Sequence, residues 1–346
     1  MAKKLPNMAQ STWLDSMRIF FFVIIFLLNF QLRSSGQVDP HFSQYYAYSL
    51  WMNPALTGAT QMDYKATLIH RNQNFGNVNT FSTSGLSAEV STNKNINIGL
   101  NILNQTATSG GYGYLNGTVS VAYTGIKLGY NEDYNITFGV NVGFLNRRFD
   151  SSRFQLGDQY EPGVGFAPLI PSADVFNNSA STAIDAGAGV AFFDTNPLKR
   201  ANLYAAFSVN HLTRPIDPFV DSQGKSVLPM RYLVNAGVSI KLNNNMYVIP
   251  HILYARQGNA EERMAGLYFT FPYGNNAEFI AGGNIRLKDA IVPYAGFTFN
   301  NFTVGLSYDV NPALRSTGTS TNTFEISLTF FKKRQENYRG IRCPVF

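Results

Sequence analysis

Four histidines, His41, His70, His211 and His251, are the side chains best suited to proton transfer or metal binding. A zinc or acid–base site needs a second His, a Cys or a carboxylate at a short, recognisable spacing. None of the four has one. No Gly-x-Ser-x-Gly elbow and no phosphate-cradling glycine loop occurs. Asp150, Asp158, Glu161 and Asp174, with Asp185 beyond them, form an acidic stretch. Its spacing matches no calcium cage, and a solvated loop accounts for it. The histidines therefore read as polar residues of a wall or lumen, and no cofactor, metal or enzymatic activity is expected. A single cysteine, Cys343, rules out an internal disulfide framework. It reads as a small hydrophobe, or as a thiol that cross-links in an oxidising compartment. The tail from Lys332-Lys333-Arg334 through Arg339 and Arg342 is basic. It reads as a solvated end or as a docking strip for a partner.

The elements that carry these residues show a period of two. Asn95–Leu103 reads NINIGLNIL, with Ile96, Ile98, Leu100 and Ile102 on one parity. Leu115–Tyr123 and Tyr134–Phe144 repeat the rhythm. Strict alternation makes a strand with one apolar and one polar face. Such strands build a soluble sandwich if the polar face is outside, and a membrane barrel if it is inside. Charged residues make up 14% of the chain, against about 25% in soluble domains. The 28 Phe and 19 Tyr are abundant. After residue 40 no apolar run is long enough to span a bilayer as a helix. These features favour the barrel.

Residues 19–28, IFFFVIIFLL, are too short for a spanning helix and suit the apolar core of a secretory signal. Arg18 supplies the positive flank, and Ser34-Ser35-Gly36 supplies small residues before a cut at Gln37. Met17 is the expected initiator; the other reading is an uncleaved anchor. Half of the net charge of +6 lies in residues 1–36, so the mature chain makes no case for nucleic acid. The expected organisation is a signal peptide over 1–36, an N-terminal segment over 37–61, a barrel over 62–332 and a basic tail over 333–346.

Fourteen strands are expected, near 62–75, 79–91, 95–106, 112–127, 134–148, 183–194, 201–212, 230–241, 245–256, 262–272, 276–286, 290–298, 301–309 and 321–332. The long connections, 149–182, 213–229 and 310–320, all follow odd-numbered strands. With a periplasmic N-terminus they fall outside the cell and the short turns fall inside. In strand five Tyr134, Ile136, Phe138, Val140, Val142 and Phe144 share a face, and about ten residues tilted about 40° cover roughly 25 Å of bilayer. In strand fourteen Phe324, Ile326, Leu328 and Phe330 face out and Glu325 faces in. Strands two, nine and ten alternate too weakly to assign. Pro250 and Pro293 inside strands each predict a bulge or a break in the ladder. The fold expected is all-β: a transmembrane antiparallel β-barrel of about 14 strands with a short N-terminal segment in or near its lumen. That segment carries Phe42, Tyr45, Tyr46, Tyr48 and Trp51, which water would not tolerate, and Arg71 is expected to meet it from the wall.

Residues 37–59, QVDPHFSQYYAYSLWMNPALTGA, resemble the N-terminal signature of the PorP/SprF family of type IX secretion membrane proteins. The matching elements are Asp39-Pro40-His41-Phe42-Ser43-Gln44-Tyr45, then Asn53-Pro54-Ala55 and Gly58. Arg71-Asn72-Gln73, Leu156-Gly157-Asp158-Gln159-Tyr160 and Asn210-His211-Leu212 with Pro215 follow. Gly282-Gly283-Asn284-Ile285-Arg286, Ser307-Tyr308-Asp309-Val310-Asn311 and Glu325-Ile326-Ser327-Leu328 come next, and Cys343-Pro344-Val345-Phe346 resembles the family terminus.

The resemblance implies a non-enzymatic outer-membrane barrel of the type IX secretion and gliding system. It implies outer-membrane lipid as surroundings and, as partners, a secreted client such as a large adhesin, or periplasmic and outer-membrane components of the system. Asp39, Pro40, Phe42, Ser43, Gln44, Tyr45, Asn53, Pro54, Arg71, Asn72 and Gln73 become the candidate residues for partner binding or lumen packing. The competing reading is a fourteen-stranded diffusion channel for small or hydrophobic molecules, since such channels also carry an Asn-Pro-Ala element near the N-terminus. A third, an outer-membrane hydrolase, has no motif behind it.

Overall fold

A computed structural model describes residues 39–59, 62–75, 81–92, 94–107, 111–150, 157–161, 163, 165–167, 169–170, 180–216, 227–243, 246–274, 276–311 and 322–333. Residues 1–38 and the tail with Cys343 lie outside them, as do Leu156, Asp174 and most of 310–320.

Among the described residues, fourteen antiparallel strands close into a barrel. They are β1 Met62–Phe75, β2 Phe81–Ser91, β3 Ile96–Ala107, β4 Gly113–Leu128, β5 Tyr134–Arg148, β6 Ala180–Asp194 and β7 Ala201–Asn210. The second half is β8 Arg231–Asn243, β9 Met246–Gln257, β10 Ala260–Tyr273, β11 Ala277–Arg286, β12 Ala290–Phe299, β13 Phe302–Asp309 and β14 Asn322–Lys333. Every strand pairs with its chain neighbours, and β1 pairs with β14, so no edge is left open. A two-residue hairpin, Tyr160–Glu161 with Gly165–Phe166, sits in the β5–β6 connection. The all-β barrel expected from alternation is borne out.

The outer surface is apolar where period two placed it. Ile96, Ile98, Leu100 and Ile102 on β3, Phe138, Val140, Val142 and Phe144 on β5, and Phe324, Ile326 and Leu328 on β14 are all exposed. A belt of this extent is untenable in water and favourable in lipid. The alternate residues face in: Asn97 and Asn101, Thr137, Glu325, Ser327 and Thr329 are buried.

The three ambiguous strands are explained by what lies inside. In β9 the lumen positions Ile249, Leu253 and Ala255 are themselves apolar, and in β10 so are Met264 and Tyr268. Both faces of these strands are greasy, which erases the alternation. In β2 the lumen face carries Thr83, Ser87 and Glu89, while Ser82 and Ser84 dilute the other face. Pro250 and Pro293 break a ladder without making a bulge. The pairs Gly237 with His251 and Ile240 with Val248 keep one register across Pro250, while the pairs between them are lost. Tyr294 with Ser307 and Ile291 with Val310 do the same across Pro293. A missing N–H costs one bond on one side of the strand.

Connections after odd strands lie at one end of the barrel and connections after even strands at the other. The long ones, 149–179, 211–230 and 310–321, share the first end. The short turns are cross-braced: Thr195 N and Oγ1 both donate to Asp133 O, at 2.7 and 2.9 Å.

Val140, 59% exposed at the middle of the belt, tests the lipid face. Val140→Arg is expected to cost about 2–4 kcal/mol in denaturant unfolding from vesicles. Leu198→Arg, in a short turn, is expected to leave the midpoint unchanged; equal effects would remove the belt from that face.

Candidate functional site

Inside the barrel runs the chain's own segment 39–59. Its local structure follows from its residues. Ser49–Met52 forms a single helical turn. Asn53 then takes an extended backbone and its Oδ1 accepts Ala55 N at 2.8 Å, capping a 3-10 turn over Pro54–Leu56. Pro54 begins that turn, where its missing N–H is harmless. The segment climbs the lumen. Gly58 lies against Ser91 and Asn97 at the short-turn end. Asp39 lies against His211 and Tyr114 at the long-loop end, near the β6–β7 pair.

Four buried charges gather around Ser43. Arg71 on β1 and Glu325 on β14 stand directly opposite each other across the closing seam and form an ion pair. Glu325 also accepts Ser43 N at 2.7 Å and Gln44 N at 2.9 Å. Arg71 donates to Asp309 at 3.0 Å and to Ser43 Oγ at 3.0 Å. Arg286 donates to Asp309 at 2.7 Å and to the same Oγ at 3.0 Å, and Ser43 Oγ donates to Asp309 at 2.8 Å. Two cations and two anions balance. Arg71 is 2% exposed and Glu325 is 1% exposed. Gln44 extends the node: its Nε2 donates to Ser307 Oγ at 3.0 Å and its Oε1 accepts from Ser327 at 2.7 Å. Burial and the nearby Arg71, Arg286 and Arg231 push His41 well below the usual imidazole range, so it is neutral.

Beside this node lies an aromatic layer. Tyr46 packs edge-on against Tyr268 at 4.9 Å and Tyr294 at 5.5 Å, Tyr45 meets His251 at 6.0 Å, and Phe42 meets Tyr48 at 5.4 Å. Asn284 ties this layer to the segment by donating to Ser43 O at 3.2 Å and Tyr268 Oη at 2.6 Å. Tyr48 Oη reaches past Gly85 to donate to Ile102 O at 2.7 Å.

Across the lumen, Asp39 meets His211 Nε2 at 2.6 Å, and Asp185 lies 2.9 Å from Nδ1. Burial alone would lower His211, but Asp39 and Asp185 outweigh it and raise it from 6.5 to about 10. Burial alone would raise Asp39, but the His211 cation outweighs it and lowers the carboxyl from 3.8 to about 2. Trp51 Nε1 donates to Pro40 O at 3.1 Å, and the Arg231 guanidinium stacks 5.4 Å from the indole centre.

The Asn53-Pro54-Ala55 turn is seated on glycines. A Cβ at Gly139 would strike Pro54 and Ala55, and one at Gly189 would strike Asn53. Asn53 Nδ2 donates to Phe207 O at 3.0 Å, Thr137 donates to Ala55 O at 2.8 Å and Ser208 to Met52 O at 2.6 Å. Thr57 bonds Ser120 at 2.8 Å, and Gly58 N donates to Glu89 at 2.6 Å, beside the Lys65–Glu89 pair. The segment thus touches all fourteen strands.

Of the residues picked from sequence, Asp39, Pro40, Phe42, Ser43, Gln44, Tyr45, Asn53, Pro54 and Arg71 meet inside the lumen. Asn72 has the opposite strand parity and turns away, and Gln73 lies two pairs beyond Arg71 toward the long-loop end. Asp309, Arg286, Asn284, Asp185 and His211 are named from the sequence only as motif, acidic-stretch or histidine residues, and are not assigned there as partners of the segment. All but His211, one residue past β7, lie at inward strand positions, which was the available signal. Which of them meet is decided by closure, which one strand cannot report.

An apolar outer belt around a lumen filled by the chain's N-terminal segment defines a plugged β-barrel of the outer membrane. Residues 34–330 match the family described as type IX secretion system membrane protein PorP/SprF, and the chain belongs to that family. It is a component of the type IX secretion system. No curated protein matches the chain. Among solved structures, the Ralstonia pickettii toluene transporter TbuX is 11% identical over 83% of this chain and 93% of its own, with TM-score 0.50. The Pseudomonas putida toluene transporter TodX is 10% identical over 86% and 99%, with TM-score 0.48. A Pseudomonas aeruginosa FadL homologue is 11% identical over 85% and 95%, with TM-score 0.44. At these identities the likeness is one of fold alone.

Removing one member of the Ser43 node strands buried charge. Arg71→Met is expected to cost about 3–5 kcal/mol in denaturant unfolding. Arg71→Met with Glu325→Gln should cost less than the sum of the two single changes, and strict additivity would dissolve the pair. The second expectation concerns pH. The raised His211 stabilises fully below pH 6.5 and loses its contribution as pH rises through about 10. The lowered Asp39 stabilises fully above pH 3.8 and loses its contribution as pH falls through about 2. Stability should therefore decline between pH 6.5 and 10, and His211→Gln should flatten that decline.

Proposed function

We propose that this protein is an accessory barrel of type IX secretion that acts by binding a protein, either a secreted client or another component of the apparatus, and catalyses no reaction. The observation that carries this is the seating of segment 39–59 against every strand. A lumen held by buried ion pairs, stacked tyrosines and a glycine-floored turn is a rigid support, and it leaves connections and rims as the surfaces a partner can reach. The candidate residues from Asp39 to Pro54, with Arg71, act in this reading by locking the plug. They set the shape of the wall that presents the loops.

Residues 1–36 serve as a cleaved signal for the general secretory pathway, which places the short turns in the periplasm and the long connections outside the cell. A client with a C-terminal signal domain would meet the long-loop end; machinery in the periplasm would meet the short turns and the basic tail. A large adhesin is the client chemistry in keeping with the family.

Affinity isolation of the intact protein from native outer membranes, followed by identification of what is retained, tests the proposal. A secreted protein bearing a C-terminal signal domain, or an envelope component of the system, is expected to co-purify. In liposomes the purified barrel is expected to be silent. Solute-dependent uptake or conductance without any retained protein would turn the assignment to a diffusion channel. N-terminal sequencing of the mature protein should begin at Gln37.

A further inference from the structure

The two sides of the plug meet different walls. Toward β9–β12 the contact is aromatic. Toward β3–β8 a cavity of about 20 Å3 remains between the plug residues Asp39, Leu50 and Trp51 and a wall rich in asparagine. Asn101, Asn116, Asn141 and Asn210 line it, together with Asp185, His211 and Arg231.

Among the described residues, three of these amides lack a full set of partners. Asn101 has no protein partner at either Oδ1 or Nδ2, Asn116 has none at Oδ1 and Asn210 has none at Nδ2. Asn101 and Asn116 are 2% and 1% exposed. A buried amide left unpaired is costly, and a native fold rarely leaves several at one place without an occupant.

The atoms specify that occupant. Two unpaired acceptors face two unpaired donors, so the occupant must both donate and accept. Asp39 and Asp185 balance His211 and Arg231, so no net charge recruits an ion. A water needs roughly 10–15 Å3 of such space and two to four polar partners, which the cavity supplies.

We propose that this cavity is a built hydration site, holding a neutral, water-sized donor–acceptor molecule between the plug and the asparagine wall. The β3–β8 side of the plug is then wet and the β9–β12 side dry. Water there joins the direct bonds of Thr57, Thr137 and Ser208 in completing the seat.

Radiolytic hydroxyl-radical labelling of the full-length barrel in detergent, in isotopically heavy water, tests this. Leu50 lines the cavity and Met264 lies on β10 outside its lining, and both are 3% exposed. Methionine is the intrinsically more reactive of the two. With water held in the cavity, Leu50 and Trp51 should label severalfold faster than Met264. Asn101→Leu, which keeps the branching and removes both polar atoms, should abolish that labelling. Asn116→Leu serves if the first variant does not fold. Labelling of Met264 ahead of Leu50, or labelling of Leu50 unchanged by either variant, would overturn the proposal.

Discussion

The ion pair between Arg71 and Glu325 sits where the barrel must close. A sheet becomes a cylinder only when its first and last strands meet in one register, and these two residues are partners in that register. Each alone would be a charge buried in a protein interior, at a cost of several kcal/mol. Both are made tolerable by Ser43 and Gln44, which belong to neither strand. Closing the wall and seating the plug are therefore one event. Hydrophobic residues of similar volume could hold the same seam with no less stability. What charges add is a penalty for every wrong register, since a slip by one residue turns Glu325 toward lipid.

The plug solves a second problem with different chemistry at each height. At the long-loop end it meets charge with charge, at Arg71 and at His211. At the middle it stacks tyrosine on tyrosine. Near the short turns it places backbone against glycine, where side chains would not fit. This gradation accounts for the bulk composition. Phe supplies the lipid belt, Tyr supplies the interior with an apolar ring and a polar tip, and charge is spent sparingly, in balanced groups.

The wall was legible in the sequence because a strand with one face in lipid and one in a polar lumen writes its environment into every second residue. Strands such as β3, β5 and β14 could be placed and oriented from that alone. β9 and β10 could not, because Ile249, Leu253, Met264 and Tyr268 pack on tyrosines of the plug and both faces became apolar. Pro250 and Pro293 announced a disturbed ladder, but only pairing shows that the register survives. The plug itself was visible as aromatics with no other shelter, and Arg71 could be assigned to it by parity. The identity of its partners was not. Ser43 and Glu325 are 282 positions apart, and His211 meets Asp39 across 172. No local pattern encodes such distances; they follow from the order in which fourteen strands go round.

The likeness to hydrocarbon transporters is a likeness of walls, and a wall does not choose its cargo. In any barrel of this size the function rests with what fills or rims it. Here the filling is covalently part of the chain, in contact with all strands, and held near both its ends by buried acids, Glu325 at Ser43 and Glu89 at Gly58. Moving it would strand those charges together with Arg71 and Arg286. A plug built this way resists the small rearrangements by which a solute could slip past. It makes the cylinder stiff, and the proposed role of presenting loops to a protein partner rests on that stiffness.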